Sequence, residues 1–409
     1  MHARLFVLPF VHVIVAPLPH HENRIDMKKC SDVIDSDLNS ELNCTGASST
    51  DPSRSSEPPA QYRRGRGAVI SPHNRYQADA HQRVDDGWYQ EPEPDTIATT
   101  LSIDHARHAI TYNQSPDVVF DRSINPYRGC EHGCVYCFAR PSHAYLDLSP
   151  GIDFETRLFY KPDIAACLQE DLTKPGYRCG PVAVGINTDA YQPVERRLKL
   201  TRSVLERLAA CGHPFSIVTK SALIERDLDV LVPAAKKKLV SVAISVTTLD
   251  SKLARYLEPR AASPARRLQT VRTLAAAGVP VTVLVAPVIP ALTEHELEAI
   301  LHAAREAGAC DAGYVLLRLP LEIKQMFTAW LHEHQPDRAK HVLARMADMH
   351  GGALYKAQFG ERMRGRGIYA DLLEQRYILA RRRLQFPGAE PLDTTQFVPP
   401  KQDPQLTLF

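Results

Sequence analysis

The stretch Arg128-Gly129-Cys130-Glu131-His132-Gly133-Cys134-Val135-Tyr136-Cys137 sets three cysteines in a C-x-x-x-C-x-x-C array directly behind a strand read over Asp121 to Tyr127. Three thiolates at this spacing can curl around one metal centre. A [4Fe-4S] cluster takes four ligands, so three protein cysteines leave one iron open to bind something else. Gly129 and Gly133 supply the left-handed or crowded backbone that a loop wrapped closely on a cluster needs. Tyr136 adds a flat aromatic face beside the open position. Structural zinc is the competing reading. It wants four N or S ligands, usually in paired short spacings. No second C-x-x-C is present, although His132 or His143 would complete such a shell.

The rest of the composition is that of a globular chain. Its 409 residues are 44% hydrophobic and 23% charged, enough for one large core or two smaller ones and unlike a membrane protein. The formal charge of +2 says little about partners, so local clusters matter more. Nine cysteines, of which only Cys130, Cys134 and Cys137 are clustered, do not form a secreted disulfide framework and suit a reducing compartment. The expected localisation is therefore cytoplasmic.

From Val118 onward the pattern is β/α. Near-continuous apolar runs recur at Val182 to Ile186, Phe215 to Val218, Leu239 to Ile244, Val281 to Val285 and Tyr314 to Leu317, as strands buried on both faces require. Amphipathic helices are read between them over Leu198 to Ala210, Ala265 to Ala276 and Glu294 to Ala307, with Gly212, Gly278 and Gly308 as C-caps. Thr293 and Glu296 read as a capping box. With the strand before the cysteines, this makes six units of an α/β fold, an open sheet or a partial (β/α)6 barrel of parallel strands. Chemistry belongs at the carboxyl ends of such strands, where the cysteine loop lies.

Around this core the expected organisation is a disordered segment over 1–66, or a start codon set too far upstream, then an extended segment packed on the core over 67–117. The barrel follows over 118–320, a helical extension over 321–386 and a flexible, proline-rich tail over 387–409. The apolar run Leu5 to Leu18 looks superficially like a signal core, but its basic flank is thin and it is too short to span a bilayer. Arg63-Arg64-Gly65-Arg66-Gly67 reads either as a solvated linker or as a basic tract able to lie on a phosphate backbone.

The cysteine array resembles the C-x-x-x-C-x-φ-C signature of the radical SAM enzymes, with Tyr136 at φ and every position matched. The resemblance implies a [4Fe-4S] cluster on Cys130, Cys134 and Cys137 that binds S-adenosyl-L-methionine at its open iron. It further implies reductive cleavage to a 5′-deoxyadenosyl radical, fed by a reductant such as flavodoxin or ferredoxin. The stretch Asn187-Thr188-Asp189-Ala190-Tyr191-Gln192-Pro193-Val194-Glu195 is similar to the spore photoproduct lyase branch, as is Thr219-Lys220-Ser221. By that resemblance Thr188 and Asp189 would meet the ammonium of S-adenosylmethionine, and Lys220 its carboxylate. Ser245, followed by Thr247 and Thr248, would face the ribose, and the backbone around Val288 the adenine. One departure matters: the branch carries a cysteine close after the second strand, and Gly185 to Asp189 has none. Dipyrimidine repair is therefore not carried over.

The region after Gly351 is rich in arginine, with Arg362, Arg364, Arg366, Arg376, Arg381, Arg382 and Arg383 interleaved with Tyr355, Phe359, Tyr369 and Tyr377. This suits either a nucleic-acid track or a solvated helix face with core aromatics. The chain ends in Gln405-Leu406-Thr407-Leu408-Phe409, which resembles the peptide by which bacterial DNA repair and replication proteins dock on the sliding clamp. Gln405, Leu406, Leu408 and Phe409 would be its contacts. The expected activity is thus radical chemistry on nucleic acid, DNA before RNA, with modification of RNA or protein and a zinc-stabilised binding module as alternatives. No membrane partner is expected.

Overall fold

The computed structural model describes residues 65–76 and 96–401. Its centre is a seven-stranded sheet. In chain order the strands of the molecule are β1 (Thr100–Ile103), β2 (Ile110–Tyr112), β3 (Arg122–Ile124), β4 (Tyr127–Arg128), β5 (Arg157–Tyr160), β6 (Val182–Val184), β7 (Phe215–Thr219), β8 (Val240–Ser245), β9 (Val281–Val288) and β10 (Asp311–Leu316). The large sheet runs β10-β9-β8-β7-β6-β3-β2. Its six strands from β3 to β10 are parallel, and β2 closes one edge antiparallel. The apolar runs become strands because both faces are covered: Val184, Ile217, Ile244, Val283 and Leu316 are all fully buried. Each contributes roughly 1.5–3 kcal/mol of burial. The six β/α units expected from the sequence are present as an α/β fold with a mostly parallel sheet.

The strand expected over Asp121 to Tyr127 is instead two. Pro126 has no N–H to donate and restrains Asn125 before it, so the chain leaves the large sheet after Ile124. Tyr127 and Arg128 then pair antiparallel with β5, which pairs parallel with β1 in a small three-stranded sheet. The segment before the barrel thus adds strands to both sheets, where the sequence suggested only an extended segment packed on the core.

The helices Leu200–Ala210 and Pro264–Ala276 close with Gly212 and Gly278 in left-handed conformations, as read from the sequence. The helix Leu297–Glu306 likewise ends before Gly308. Its start differs from the expected capping box. Thr293 Oγ1 accepts from the Ile289 amide (2.9 Å), and the Glu296 carboxylate reaches away to Thr248 Oγ1 (2.9 Å) and the Leu249 amide. A carboxylate that can tie two strand-end loops together is more useful there than on its own helix.

Three further helices, Ile323–His334, Pro336–Met349 and Ile368–Arg383, form the carboxyl-terminal extension. The first two bury Phe327, Trp330, Leu331, Val342 and Met346 in one cluster with Ala68, Val69, Cys134, Val135 and Tyr136. The third packs Leu373 and Tyr377 on the main core. The start of the expected flexible tail is docked: the amides of Gly388, Asp393 and Val398 donate to the carbonyls of Cys310, Lys238 and Cys211, each at 2.9 Å. Among the described residues no helix is long and apolar enough to cross a membrane. The apolar run Leu5 to Leu18 and the terminal peptide Gln405 to Phe409 lie outside the described residues.

Candidate functional site

The cysteine loop leaves β4 and turns back on itself at once. Gly129 and Gly133 hold φ of +78° and +67°, and a Cβ on either would strike neighbouring atoms, Leu158 Cδ2 at 2.6 Å and Glu155 Oε2 at 2.7 Å respectively. The Cys130 amide donates to the Phe154 carbonyl (2.9 Å) and the Val135 amide to the Leu257 carbonyl (3.1 Å). Cys130 and Cys134 are buried and Cys137 is half-buried. Burial pushes all three thiols up, Cys134 to about 12 and Cys130 well above its ordinary value, with Asp189 and the other two cysteines adding to the shift at Cys130. Lys220 works against the rise at Cys134, and Arg140 at Cys137. Three thiols this close together, two of them buried, need positive charge to ionise, which is what iron supplies.

Among the described residues no three His, Cys, Asp or Glu side chains close on a single ion. A cubane makes a different demand, because each thiolate takes a different iron. Each histidine that would complete a zinc shell has one ring nitrogen engaged elsewhere, while His143 Nδ1 is buried without a partner. His132 Nδ1 lies 3.3 Å from Asp189 Oδ2, and His143 Nε2 lies 3.0 Å from the Arg157 carbonyl with its ring against Phe154. The donor set and the loop's tight glycines therefore fit an iron–sulfur cluster.

The polar stretch after β6 braces this loop. Thr188 Oγ1 donates to the Tyr127 carbonyl (2.9 Å). Asp189 accepts from the Tyr191 amide (2.9 Å), Thr219 Oγ1 (2.6 Å) and the Lys220 amide (2.7 Å), besides facing His132. Although burial pushes its carboxyl up, His132 and these donors hold it down at about 2. Gln192 clasps the loop directly, accepting from the Glu131 amide (2.9 Å) and donating to the Gly129 carbonyl (3.1 Å). Glu195 accepts from the Tyr127 hydroxyl, the Thr201 amide (3.0 Å) and Arg226 (2.8 Å). Thr188 and Asp189, expected to grip an ammonium, make these bonds within the protein and position the loop and the end of β7.

Tyr136 is fixed by its hydroxyl, which donates to Glu258 and lies 3.1 Å from Thr247 Oγ1. Glu258 also pairs with Arg267, and Thr247 Oγ1 lies 2.7 Å from Glu258 Oε1. Burial raises the Glu258 carboxyl, but Arg267 and Lys220 outweigh it and hold it at about 2. Arg267 donates to the carbonyl of Ser245 (3.0 Å), itself buried at the end of β8. Val288, at the end of β9, is buried and gives its carbonyl to the Leu317 amide (3.0 Å). The hydroxyls of Thr247 and Thr248, read as ribose contacts, are bonded to Glu258 and Glu296. Glu258, Arg267, Arg140 and Glu155 belong to this site and were not read from the sequence, where each is a lone charge with no motif around it.

Lys220 behaves differently. Its ammonium makes no hydrogen bond among the described residues and lies 5.8 Å from the centroid of the Tyr136 ring. Burial lowers its affinity for the proton, but Cys134 and Glu258 more than compensate, so its pKa is raised and the group stays charged. Arg318, two residues beyond the end of β10, is a second cation near the loop with no hydrogen bond among the described residues. Its Nε is buried without a partner and its guanidinium stacks on Phe138, 4.9 Å from the ring centroid, next to Cys137. Phe138 itself is 38% exposed.

The basic tract after Gly351 is largely internal structure. Arg362 pairs with Asp117, Arg376 with Glu298 (2.7 Å), Arg381 with Asp311 (2.8 Å) and Arg364 with Glu374 (3.4 Å). Tyr377 is buried and its hydroxyl donates to the Ala312 carbonyl (2.6 Å). Arg362, Arg376 and Arg381 thus fasten the extension to the rest of the chain and Tyr377 serves the core, whereas Arg382, Arg383 and Phe359 are exposed. Arg66, the described arginine of the expected phosphate-binding tract, is buried as well.

Residues 124–304 match the model of the radical SAM superfamily. An uncharacterized protein of Mycobacterium tuberculosis is 41% identical over 220 residues, 53% of this chain and 65% of that protein. An uncharacterized protein of Methanocaldococcus jannaschii is 26% identical over 214 residues, 52% of this chain and 76% of that one. The chain thus spans just under two thirds of the mycobacterial relative. Among solved structures, a cysteine-to-serine mutant of spore photoproduct lyase superposes with a TM-score of 0.51 at 16% identity, covering 70% of this chain and 80% of that one. The same enzyme complexed with dinucleoside spore photoproduct gives 0.50 at 16%, with the same coverage. At these identities the likeness is one of fold.

Proposed function

We propose that this protein is a radical SAM enzyme acting on nucleic acid, with Cys130, Cys134 and Cys137 as cluster ligands. The observation that carries the reading is Lys220, a charged ammonium without a hydrogen-bond partner among the described residues, in the field of the Cys134 thiol. A cation held in a partly desolvated place at a strand's carboxyl end is set to receive an anion, and the carboxylate of S-adenosylmethionine is the anion this domain type brings to the cysteines. When bound, the cluster and S-adenosylmethionine supply one-electron cleavage of a carbon–sulfur bond and a 5′-deoxyadenosyl radical. The chain's own part is to bind, orient and exclude water. Tyr136, fixed by Glu258 and Thr247, presents a rigid ring beside Lys220. Ser245 and Val288 bring two strand ends to the same side, while Thr188 and Asp189 act through the loop they position.

The nucleic-acid part of the proposal is supported by Arg318 and Phe138. A free guanidinium on a partly exposed ring, one residue from the last cysteine, offers a phosphate contact and a stacking face together. Spore photoproduct lyase, whose fold this chain shares, has been solved with a dinucleoside lesion. The test is anaerobic incubation of the reconstituted protein with S-adenosylmethionine, reductant and DNA or RNA oligonucleotides, followed by mass analysis of both. A covalent change in DNA that depends on S-adenosylmethionine is expected; change in RNA alone, or in neither, overturns the DNA assignment. Docking of the terminal peptide on a sliding clamp is proposed from its sequence. A labelled peptide spanning Gln402 to Phe409 should bind the clamp, and no binding at tens of micromolar rejects it.

A further inference from the structure

The Gly65–Asn74 segment, which includes the described end of the basic tract read at Arg63 to Gly67, lies against the cysteine loop and has no part in the proposed chemistry. Arg66 is buried and donates to the Glu155 carbonyl (2.8 Å), the Ile97 carbonyl (2.6 Å) and Thr99 Oγ1 (3.1 Å). The amides of Gly67 and Ala68 donate to the two carboxylate oxygens of Glu155, at 2.9 and 2.8 Å. Glu155 in turn pairs with Arg140 (2.5 Å), both fully buried, and Arg140 Nε donates to the carbonyl of Cys134 (2.9 Å). Gly67 passes so close that a Cβ there would collide with the Gly133 carbonyl oxygen. Ala68 and Val69 share an apolar cluster with Cys134, Val135 and Tyr136. Beyond them, Ser149 Oγ donates to the Pro72 carbonyl (2.8 Å), and Asn74 Nδ2 to the Ala144 carbonyl (2.8 Å).

We infer that this segment is a strap that shuts the cysteine loop off from solvent, with Gly67 as its contact and Glu155 as the clasp joining it through Arg140 to Cys134. The geometry gives each part a reason. Glu155 spends both oxygens on strap amides and still faces Arg140, so its buried charge is paired and hydrogen-bonded as burial demands. Only glycine permits the backbone contact between Gly67 and Gly133, and that contact leaves no room for water at this point of the loop. Because the strap joins neither sheet, it can lift while the barrel stays folded. Closure therefore sets how fast small reagents reach the thiols in the metal-free chain. If the radical SAM reading on which the cluster rests is right, it also sets how fast oxygen reaches the cluster.

Thiol alkylation in the metal-free, full-length protein tests this, read by mass spectrometry at each cysteine. In Gly67→Ala, where the new methyl group must push the strap off the loop, Cys130 and Cys134 should react at least about tenfold faster, equivalent to about 1.4 kcal/mol of closure. Arg66→Gln should give a smaller acceleration in the same residues. Cys211 and Cys310, remote from the strap in sequence and packing, should keep their wild-type rates. Unchanged rates at Cys130 and Cys134 in Gly67→Ala overturn the strap. If Gly67→Ala accelerates every cysteine alike, the variant is unfolding globally and Arg66→Gln decides: no selective acceleration there rejects the inference. In reconstituted protein the visible iron–sulfur absorbance should also decay several-fold faster in air for Gly67→Ala. Wild-type protein that takes up no iron would reject the radical SAM reading, and the alkylation result would still judge the strap.

Discussion

Two sets of polar side chains crowd the cysteine loop, and they differ in whether their bonds are already made. Thr188, Asp189, Gln192, Glu155 and Glu258 have protein partners for their polar groups and define where the loop sits. Lys220 and Arg318 are cations at strand ends with no hydrogen bond among the described residues. Spent groups build a site and unspent groups use it. The distinction cannot be made from residue type, since Asp189 and Lys220 both look like ligand-binding residues at strand ends. It rests on counting donors and acceptors, and it divides the expected consequences of mutation.

The largest effect should come from removing the loop's own ligands: replacing Cys130, Cys134 and Cys137 with alanine should take the reconstituted protein from about four irons to none. Next come the spent groups. Glu258→Ala leaves Arg267 buried without its carboxylate and should cost about 3–5 kcal/mol in denaturant unfolding. Asp189 and Glu258 are also held at about 2 in the folded chain, below an unfolded value of roughly 4. Their contribution is therefore complete above roughly pH 4 and is lost as pH falls toward 2. The urea midpoint should drop across that window, and Glu258→Gln should flatten the drop.

The unspent groups should behave oppositely. Lys220→Ala should leave iron content and unfolding nearly unchanged, yet weaken S-adenosylmethionine binding about tenfold or more, the worth of one charge-assisted hydrogen bond of roughly 1.5–3 kcal/mol. Titration calorimetry on reconstituted protein measures this. The smallest effect belongs to Arg318→Ala, which should weaken oligonucleotide binding similarly across sequences and lower the salt slope by about 1. A stability loss in Lys220→Ala as large as that in Glu258→Ala would erase the distinction.

The fold and the loop were legible because their signals are local. Apolar runs such as Val240 to Ser245 and Val281 to Val288 declare themselves as buried parallel strands, and three cysteines within eight residues declare a ligand set. What was not legible depends on pairs far apart in the chain. Arg66 meets Glu155, Arg362 meets Asp117 and Arg381 meets Asp311, so these arginines of the runs that suggested nucleic acid are tethers in the folded protein. The Thr293 and Glu296 spacing suggested a cap for the same reason that Thr188 and Asp189 suggested a ligand grip: polar side chains near a helix or strand end have several possible partners, and only tertiary structure chooses among them. Pro126 could have shown that the strand before the cysteines breaks in two, since it sits inside the run.

Under the proposed function, the cysteine loop and Lys220 together serve S-adenosylmethionine. This is tested most directly by anaerobic reconstitution with iron and sulfide, reduction, addition of S-adenosylmethionine and chromatographic measurement of 5′-deoxyadenosine. The account predicts that the wild type forms it, that Lys220→Ala forms much less at subsaturating S-adenosylmethionine with its cluster intact, and that the triple cysteine variant forms none. Wild-type protein carrying stoichiometric zinc, without iron–sulfur absorbance and without 5′-deoxyadenosine, would contradict it.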